Sequence, residues 1–186
     1  MPLGMLIHKR LLPLTLLVAL GALAADTHVD AGKSTITVIF KQEGVPVEAA
    51  FHKFTGNIQY DPAQPAAATA VLDVDTGSFD IGDESYNDEV RKKAWFDSTA
   101  YPKATFRSTQ VKAGAADKFD ATGTLTIKGK VTMITLPITV KRVGNTATYS
   151  GSFVVSRAMF GIGDPSWNDV LDDKVSVRFS LVTPGA

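Results

Sequence analysis

The chain has no cysteine. That excludes a disulfide framework, a thiolate metal site and a lipid-modified cysteine anchor. Histidine is scarce as well, with three in 186 residues. His8 falls in an N-terminal apolar stretch, His28 stands alone, and His52 lies on a strand-like pattern. A lone strand histidine reads as a surface residue rather than a base or a ligand. There is no G-x-S-x-G, no phosphate loop, no strand-linked G-x-G-x-x-G and no H-E-x-x-H. Excess charge of either sign is missing too, because 19 basic side chains balance 19 acidic ones. No polybasic footprint for nucleic acid or anionic lipid follows, so any membrane contact is expected to be transient. No catalytic residue, no resident metal and no cofactor is expected.

What is present begins with an export pattern. His8, Lys9 and Arg10 precede the apolar run Leu11 to Leu23, which ends in Ala22-Leu23-Ala24. A basic region, an apolar region and small residues at −3 and −1 predict a signal peptide over 1–24, cleaved after Ala24. The run is short and interrupted by Pro13 and Gly21, which makes it a poor membrane span. Removing 24 of the 186 residues leaves 162, enough for a single domain over 25–186 with its own core. Lys9 and Arg10 leave with the segment. The remainder has 17 basic and 19 acidic side chains, a net charge of −2.

That remainder reads as strands. In Phe119 to Val140, Phe119, Ala121, Gly123, Leu125 and Ile127 alternate with Asp120, Thr122, Thr124, Thr126 and Lys128. This is period two, with one apolar and one wet face. Gly129-Lys130 breaks the run, and Leu136, Ile138 and Val140 alternate on the way back, predicting an antiparallel hairpin. Pro137 gives up a ladder donor and is expected at an edge or a bulge. Further alternating faces hold Ile36, Val38 and Phe40; Val47, Ala49 and Phe51; Ala68, Ala70, Leu72 and Val74; Ala147, Tyr149 and Phe153; and Val175, Val177 and Phe179. The parity switch before Ile58 and Tyr60 predicts a bulge at Gly56. Asp83 to Phe96 has no alternation, and Asp83 suits a helix start, so one short inserted helix is expected. An all-β, eight-stranded antiparallel barrel follows, with a two-sheet sandwich as the alternative.

Carboxylates are the only catalytic or metal stock. Asp73, Asp75 and Glu84 fall at positions 1, 3 and 12 of a calcium-loop frame, but Gly77 and Ser78 break it at positions 5 and 6. Asp80 to Glu89 and Asp164 to Asp173 read as a solvated acidic rim, with a carboxylate-based enzyme as the weaker alternative. In Phe153 to Asp173, a glycine-hinged apolar loop (Phe160 to Gly163) follows Arg157, and Trp167 lies beyond it. This segment is either a lid with Arg157 meeting a ligand head group, or a plug in which Phe160 fills the barrel end and Arg157 pairs with a carboxylate.

The runs HVDAGKSTITVIF, FHKFTGNIQYDP, NDEVRKKAWFDSTAYPKATFRST, ATGTLTIKGKVTMITLPI and SRAMFGIGDPSWND, in that order and spacing, resemble the YceI family over about residues 28–182. The resemblance implies a lipocalin-like antiparallel barrel with an inserted helix, a periplasmic location, and a long apolar ligand (polyisoprenoid, quinone-like or fatty-acyl) carried inside. Many members have an Arg-Asp-x-His-Leu run where this chain reads NDEVRKKAWFD, so a head-group role for that histidine has no counterpart here. The inward parity selects Val38, Phe40, Phe51, Leu72, Val74, Phe106, Leu125, Ile127, Ile138, Tyr149, Phe153, Val177 and Phe179 as the residues facing such a ligand. Arg157, Phe160 and Trp167 stand at the mouth. A chain of ~20 carbons nominally gains ~16 kcal/mol on burial, before ordering costs. By parity alone, a dry barrel filled by the same side chains is the favoured reading, and it is the resemblance that turns the choice to a ligand. An interaction module serving a membrane redox or envelope-stress partner therefore stays open, as does monomer against dimer.

Overall fold

The computed structural model describes residues 28–61, 63–115 and 117–184. The expected signal segment over 1–24 lies outside them. The strands are β1 (Thr35–Gln42), β2 (Val45–Phe51), β3 (Phe54–Gln59), β4 (Thr69–Asp75), β5 (Phe79–Asp80), β6 (Lys103–Ala113), β7 (Lys118–Ile127), β8 (Lys130–Val143), β9 (Thr146–Ser156) and β10 (Lys174–Pro184). One helix, α1 (Glu84–Arg91), stands between β5 and β6. All strand pairs are antiparallel, in one sheet of order β3-β4-β6-β7-β8-β9-β10-β1-β2-β5.

The sheet curls into a half-barrel with the lipocalin-like architecture. A sandwich is excluded, because the ten strands share one sheet. The expected count of eight is corrected to ten. β5 has only two residues, too few to show a period, and among the described residues no ladder joins the edge strands β3 and β5. The N-terminal segment crosses the remaining gap. His28 bridges Asn57 of β3, Val29 N–H donates to the Gly56 carbonyl, and Asp30 N–H donates to the Val182 carbonyl of β10.

The β7–β8 hairpin forms as its alternation requires. Ala121, Gly123 and Leu125 are buried, and the two turn residues, Lys128 and Gly129, have φ of 49° and 72°. Positive φ at both central positions matches the right-handed twist of the flanking strands. Pairing of β8 with β9 starts at Ile138↔Gly151, and Pro137 is the first residue beyond it. Pro137 thus sits at an edge, as its missing donor demands.

Two local expectations are corrected. Gly56 is not a bulge, since β3 pairs without interruption from Phe54↔Val74 to Gln59↔Thr69. The parity change falls instead at His52-Lys53, between β2 and β3. Gly56 is small because a Cβ there would lie 2.9 Å from Val29 and 3.0 Å from Leu72. The bulge that does occur is in β6, between Ser108 and Gln110. The helix is shorter than Asp83 to Phe96. It starts where expected, with the Asp83 carboxylate accepting from Ser85 and Tyr86 N–H. It ends at Arg91, and residues 92–97 fold into tight turns closed by Asp97 at φ 52°.

Candidate ligand-binding cavity

Inside the barrel is a cavity of about 570 Å³. Packed cores hold few voids larger than a water, and an engineered apolar cavity of about 150 Å³ already takes benzene. Ligand pockets run from roughly 300 to 1,000 Å³. The barrel is therefore not filled by its own side chains. The exposure pattern agrees: Phe40, Leu72, Ile127, Phe153, Val177 and Phe179 point inward yet are only half-buried. They border the cavity on one side, while Phe40, Leu72, Val177 and Phe179 also pack against the buried core.

All thirteen residues chosen by inward parity line this cavity. β1 contributes Val38 and Phe40, β2 Phe51, β4 Leu72 and Val74, β6 Phe106, and β7 Leu125 and Ile127. Ile138 comes from β8, Tyr149 and Phe153 from β9, and Val177 and Phe179 from β10. Ile36, Ile134, Leu136, Val155, Val175 and Leu181, left out of the thirteen, also line it. Their parity matches that of the chosen residues, so the signal was there. Sequence reasoning missed Phe79, Ile81, Val90, Trp95 and Phe96. These come from β5, the link after it, α1 and the turns that follow, where no period-two alternation runs.

The end away from α1 is closed. Tyr60 meets Phe119 edge-on at 5.0 Å and Tyr149 at 6.3 Å, and the Arg142 guanidinium lies 4.8 Å over the Tyr60 ring. At the α1 end, Phe96 packs against Phe51 and Phe79 at 5.7 and 6.1 Å.

Arg157, Phe160 and Trp167 all border the cavity, but Arg157 does neither thing expected of it. Its Nε donates to the Asp172 carbonyl and Nη1 to the Ile162 carbonyl. Its Nη2 donates to the Leu171 carbonyl and to Asn168 Oδ1. Four of its five N–H groups are spent on the loop over 162–172, all on neutral acceptors. Among the described residues it meets no carboxylate, and a single N–H group is left for a head group. Phe160, 1% exposed, plugs the corner beneath this loop. Trp167 meets Trp95 edge-on at 5.7 Å.

Polar lining gathers at the α1 end in Gln42, Ser85, Glu89 and Asp172. Glu89 pairs with Lys92 at 2.6 Å. Arg157 is the one cation among the described lining residues, so an anionic head group would find no free counter-ion there.

The acidic stretches are structural at these positions. Hydrogen bonds from the Asn87 amide hold the Asp80 carboxyl below its ordinary value, and the Arg91 guanidinium does so for Glu84. The Ser166 N–H lowers Asp164, and the Ser156 hydroxyl lowers Asp173. A general acid needs the opposite shift. Asp73, the first position of the broken calcium frame, is bound by Arg107 at 2.8 Å and Lys103 at 3.5 Å. Among the described residues no group of three His, Cys, Asp or Glu is placed to hold a metal ion.

The family model for the YceI-like domain matches residues 28–183. A UPF0312 protein of Vibrio cholerae is 31% identical over 116 residues, 61% of each chain. The match thus spans less than two thirds of that relative's length. The YceI protein of Shigella flexneri is 32% identical over 123 residues, 64% of this chain and 62% of its own. The crystal structure of Burkholderia cenocepacia BcnA superposes with a TM-score of 0.80 at 41% identity, covering 83% of this chain and 98% of BcnA. A polyisoprenoid-binding domain from Saccharophagus degradans superposes with a TM-score of 0.68 at 19% identity, over 86% of this chain and 98% of that one. At that identity it shares the fold.

Proposed function

The chain belongs to the YceI-like family, and from that premise we propose that it is an exported periplasmic carrier that holds one long apolar chain in its barrel and performs no chemistry. The observation that carries this reading is the apolar cavity of about 570 Å³ behind half-buried inward rings. The polyisoprenoid-binding description of the Saccharophagus degradans domain supports an isoprenoid over a generic acyl chain. The polar residues at the α1 end narrow the class further. Glu89 and Asp172 bring carboxylates, and Arg157 has little left to donate. A neutral head group, as on a prenol or a quinone, suits that end better than a carboxylate or a phosphate.

Two measurements test the reading. Denaturing mass spectrometry of protein purified from its native host is expected to find an extractable prenyl lipid. A chain that is repeatedly empty, and takes up no added polyprenol, overturns the proposal. Leu125, buried and lining the cavity, is expected to become a block as Leu125→Trp, cutting lipid per protein while the chain folds. Thr126→Trp, on the outer parity, is expected to bind normally. If the cavity were a packed core, Leu125→Trp would instead cost ~1–3 kcal/mol of stability.

A further inference from the structure

A closed barrel needs a backbone ladder between every neighbouring pair of strands. Between β8 and β9 that ladder runs only from Ile138↔Gly151 to Val143↔Thr146. On the α1 side of this fork, residues 130–137 of β8 pair only with β7, and residues 152–156 of β9 pair only with β10. Continued register would set Thr135 opposite Val154 and Leu136 opposite Phe153, yet no such pairs form among the described residues. The fork has a local cause. Pro137 brings no N–H, and a Cβ at Gly151 would lie 2.4 Å from the Pro137 carbonyl oxygen and 2.7 Å from the Phe179 ring.

The far end of the seam is held by a side chain rather than a ladder. Lys128 Nζ donates to the Gly161 carbonyl at 2.8 Å and to the Lys93 carbonyl at 2.7 Å. The result is a window in the barrel wall, bounded by β8, β9, the fork and this lysine clasp. Ile134 and Leu136 on one edge, and Phe153 and Val155 on the other, line the cavity directly behind it. Side chains rearrange in pico- to nanoseconds, whereas opening a paired strand is a local unfolding event.

The outer face at this window is more apolar than the outer faces of β7 and β10. The outward positions of β7 are Asp120, Thr122, Thr124 and Thr126, and those of β10 include Lys174, Ser176, Arg178 and Ser180. Around the window they include Val131, 64% exposed, Met133, 56%, and Val154, 61%, among Thr135, Pro137, Ser152 and Ser156, with Met159, 56%, on the loop just after β9. Exposed apolar side chains gathered at one place mark an interaction site. Lys128 is spent on the clasp, and Lys130 and Lys93 stand beside it at the margin of the window. An apolar rim with lysines at its margin matches an anionic bilayer surface: side chains enter the acyl boundary and ammonium groups meet the phosphates.

We propose that the window between β8 and β9 is the lateral port through which a prenyl chain passes from an anionic bilayer into the cavity. The surface formed by Val131, Met133, Val154 and Met159 rests on the membrane during transfer. The inference rests on the carrier reading and adds the route and the donor surface.

The absence of cysteine makes a selective seal available. In Thr135→Cys/Val154→Cys, the only disulfide that can form ties the window shut, once the two Cα atoms close to within about 7 Å. Uptake of a fluorescent prenol from phosphatidylethanolamine–phosphatidylglycerol vesicles is followed by stopped flow, with final occupancy read after long incubation. The oxidised protein is expected to load about tenfold more slowly than the reduced form, with equal final occupancy. A second variant needs no cross-link: Met133→Glu/Val154→Glu should slow loading from these vesicles about tenfold by repulsion. Thr148→Glu, on the same outer face where β8 and β9 are paired, should load normally. Equal rates in the sealed, acidic and unsubstituted proteins overturn the port and route the ligand past α1. A port serving a soluble donor rather than a bilayer is the outcome if sealing slows loading and the glutamates do not, which overturns the membrane part. An unsubstituted protein that never loads overturns the carrier reading itself, a result distinct from normal occupancy with unchanged rates.

Discussion

At the end remote from α1, Tyr60, Phe119, Tyr149 and Arg142 interlock through two edge-on ring contacts and a cation over a ring. At the α1 end the same inward parity holds Phe40, Phe153, Val155 and Val175, which stay half-buried around open space. Both ends obey one alternation rule. They differ in what crosses the barrel axis. At the far end Tyr60, just past the end of β3, reaches rings on β7 and β9. At the α1 end a loop and a short helix roof the strands without filling the space below. The roof is held by polar bonds: four donated by Arg157 to the loop, two by Lys128, and the Asp83 cap. The solid far end is closed by its ring contacts, whereas the hollow α1 end adds these polar bonds to the ring contacts of Phe96 with Phe51 and Phe79 and of Trp95 with Trp167.

The largest expected effect comes from breaking the polar roof. Arg157→Met keeps much of the volume but strips its partners from three carbonyls and the Asn168 amide oxygen. A loss of about 3–4 kcal/mol is expected, at 1–3 kcal/mol per buried unmet group with partial relief by water. Urea unfolding monitored by Trp95 and Trp167 fluorescence measures it. An unchanged midpoint would show that the loop stands without the arginine.

Next is a matched pair of ring deletions. Phe119 and Phe40 are both half-buried inward rings, one in the solid end and one beside the cavity. Phe119→Ala should cost about 3 kcal/mol, because it opens a new void among packed rings. Phe40→Ala only enlarges an existing space and should cost about 1–2 kcal/mol, the transfer term with little added cavity term. Equal losses would mean that the two ends are packed alike in solution. The relative order was not readable from the chain, where both residues are simply Phe at an inward parity.

The smallest effect is the pH response of the α1 end. Asp80 and Glu84 are held below their ordinary values of 3.8 and 4.5, by the Asn87 amide and the Arg91 guanidinium. As pH falls, the unfolded chain takes up these protons first. Their contribution is therefore complete above the ordinary values and is lost as pH falls through the lowered ones. Both groups face solvent, so screening keeps the effect small. The thermal midpoint of the unsubstituted protein should fall more between about pH 6 and about pH 3 than that of Asp80→Asn. Parallel curves would remove Asp80 from the account.

The residues themselves determined the strands, their faces and the inward set, because period two in a twisted sheet leaves each side chain one of two directions. The thirteen residues picked by parity all border the cavity for that reason. They also determined the start of α1, since a carboxylate at Asp83 can reach two free helical N–H groups locally. Tertiary structure alone decided whether those faces meet or stand apart, because a filled and a hollow barrel have the same alternation. It decided that Arg157 would be consumed by carbonyls up to fifteen residues away, and that His52-Lys53 rather than Gly56 would turn the parity. It decided as well that β8 and β9 would part at Pro137. A missing donor announces an edge in the sequence, but which neighbour is lost depends on how the whole sheet closes.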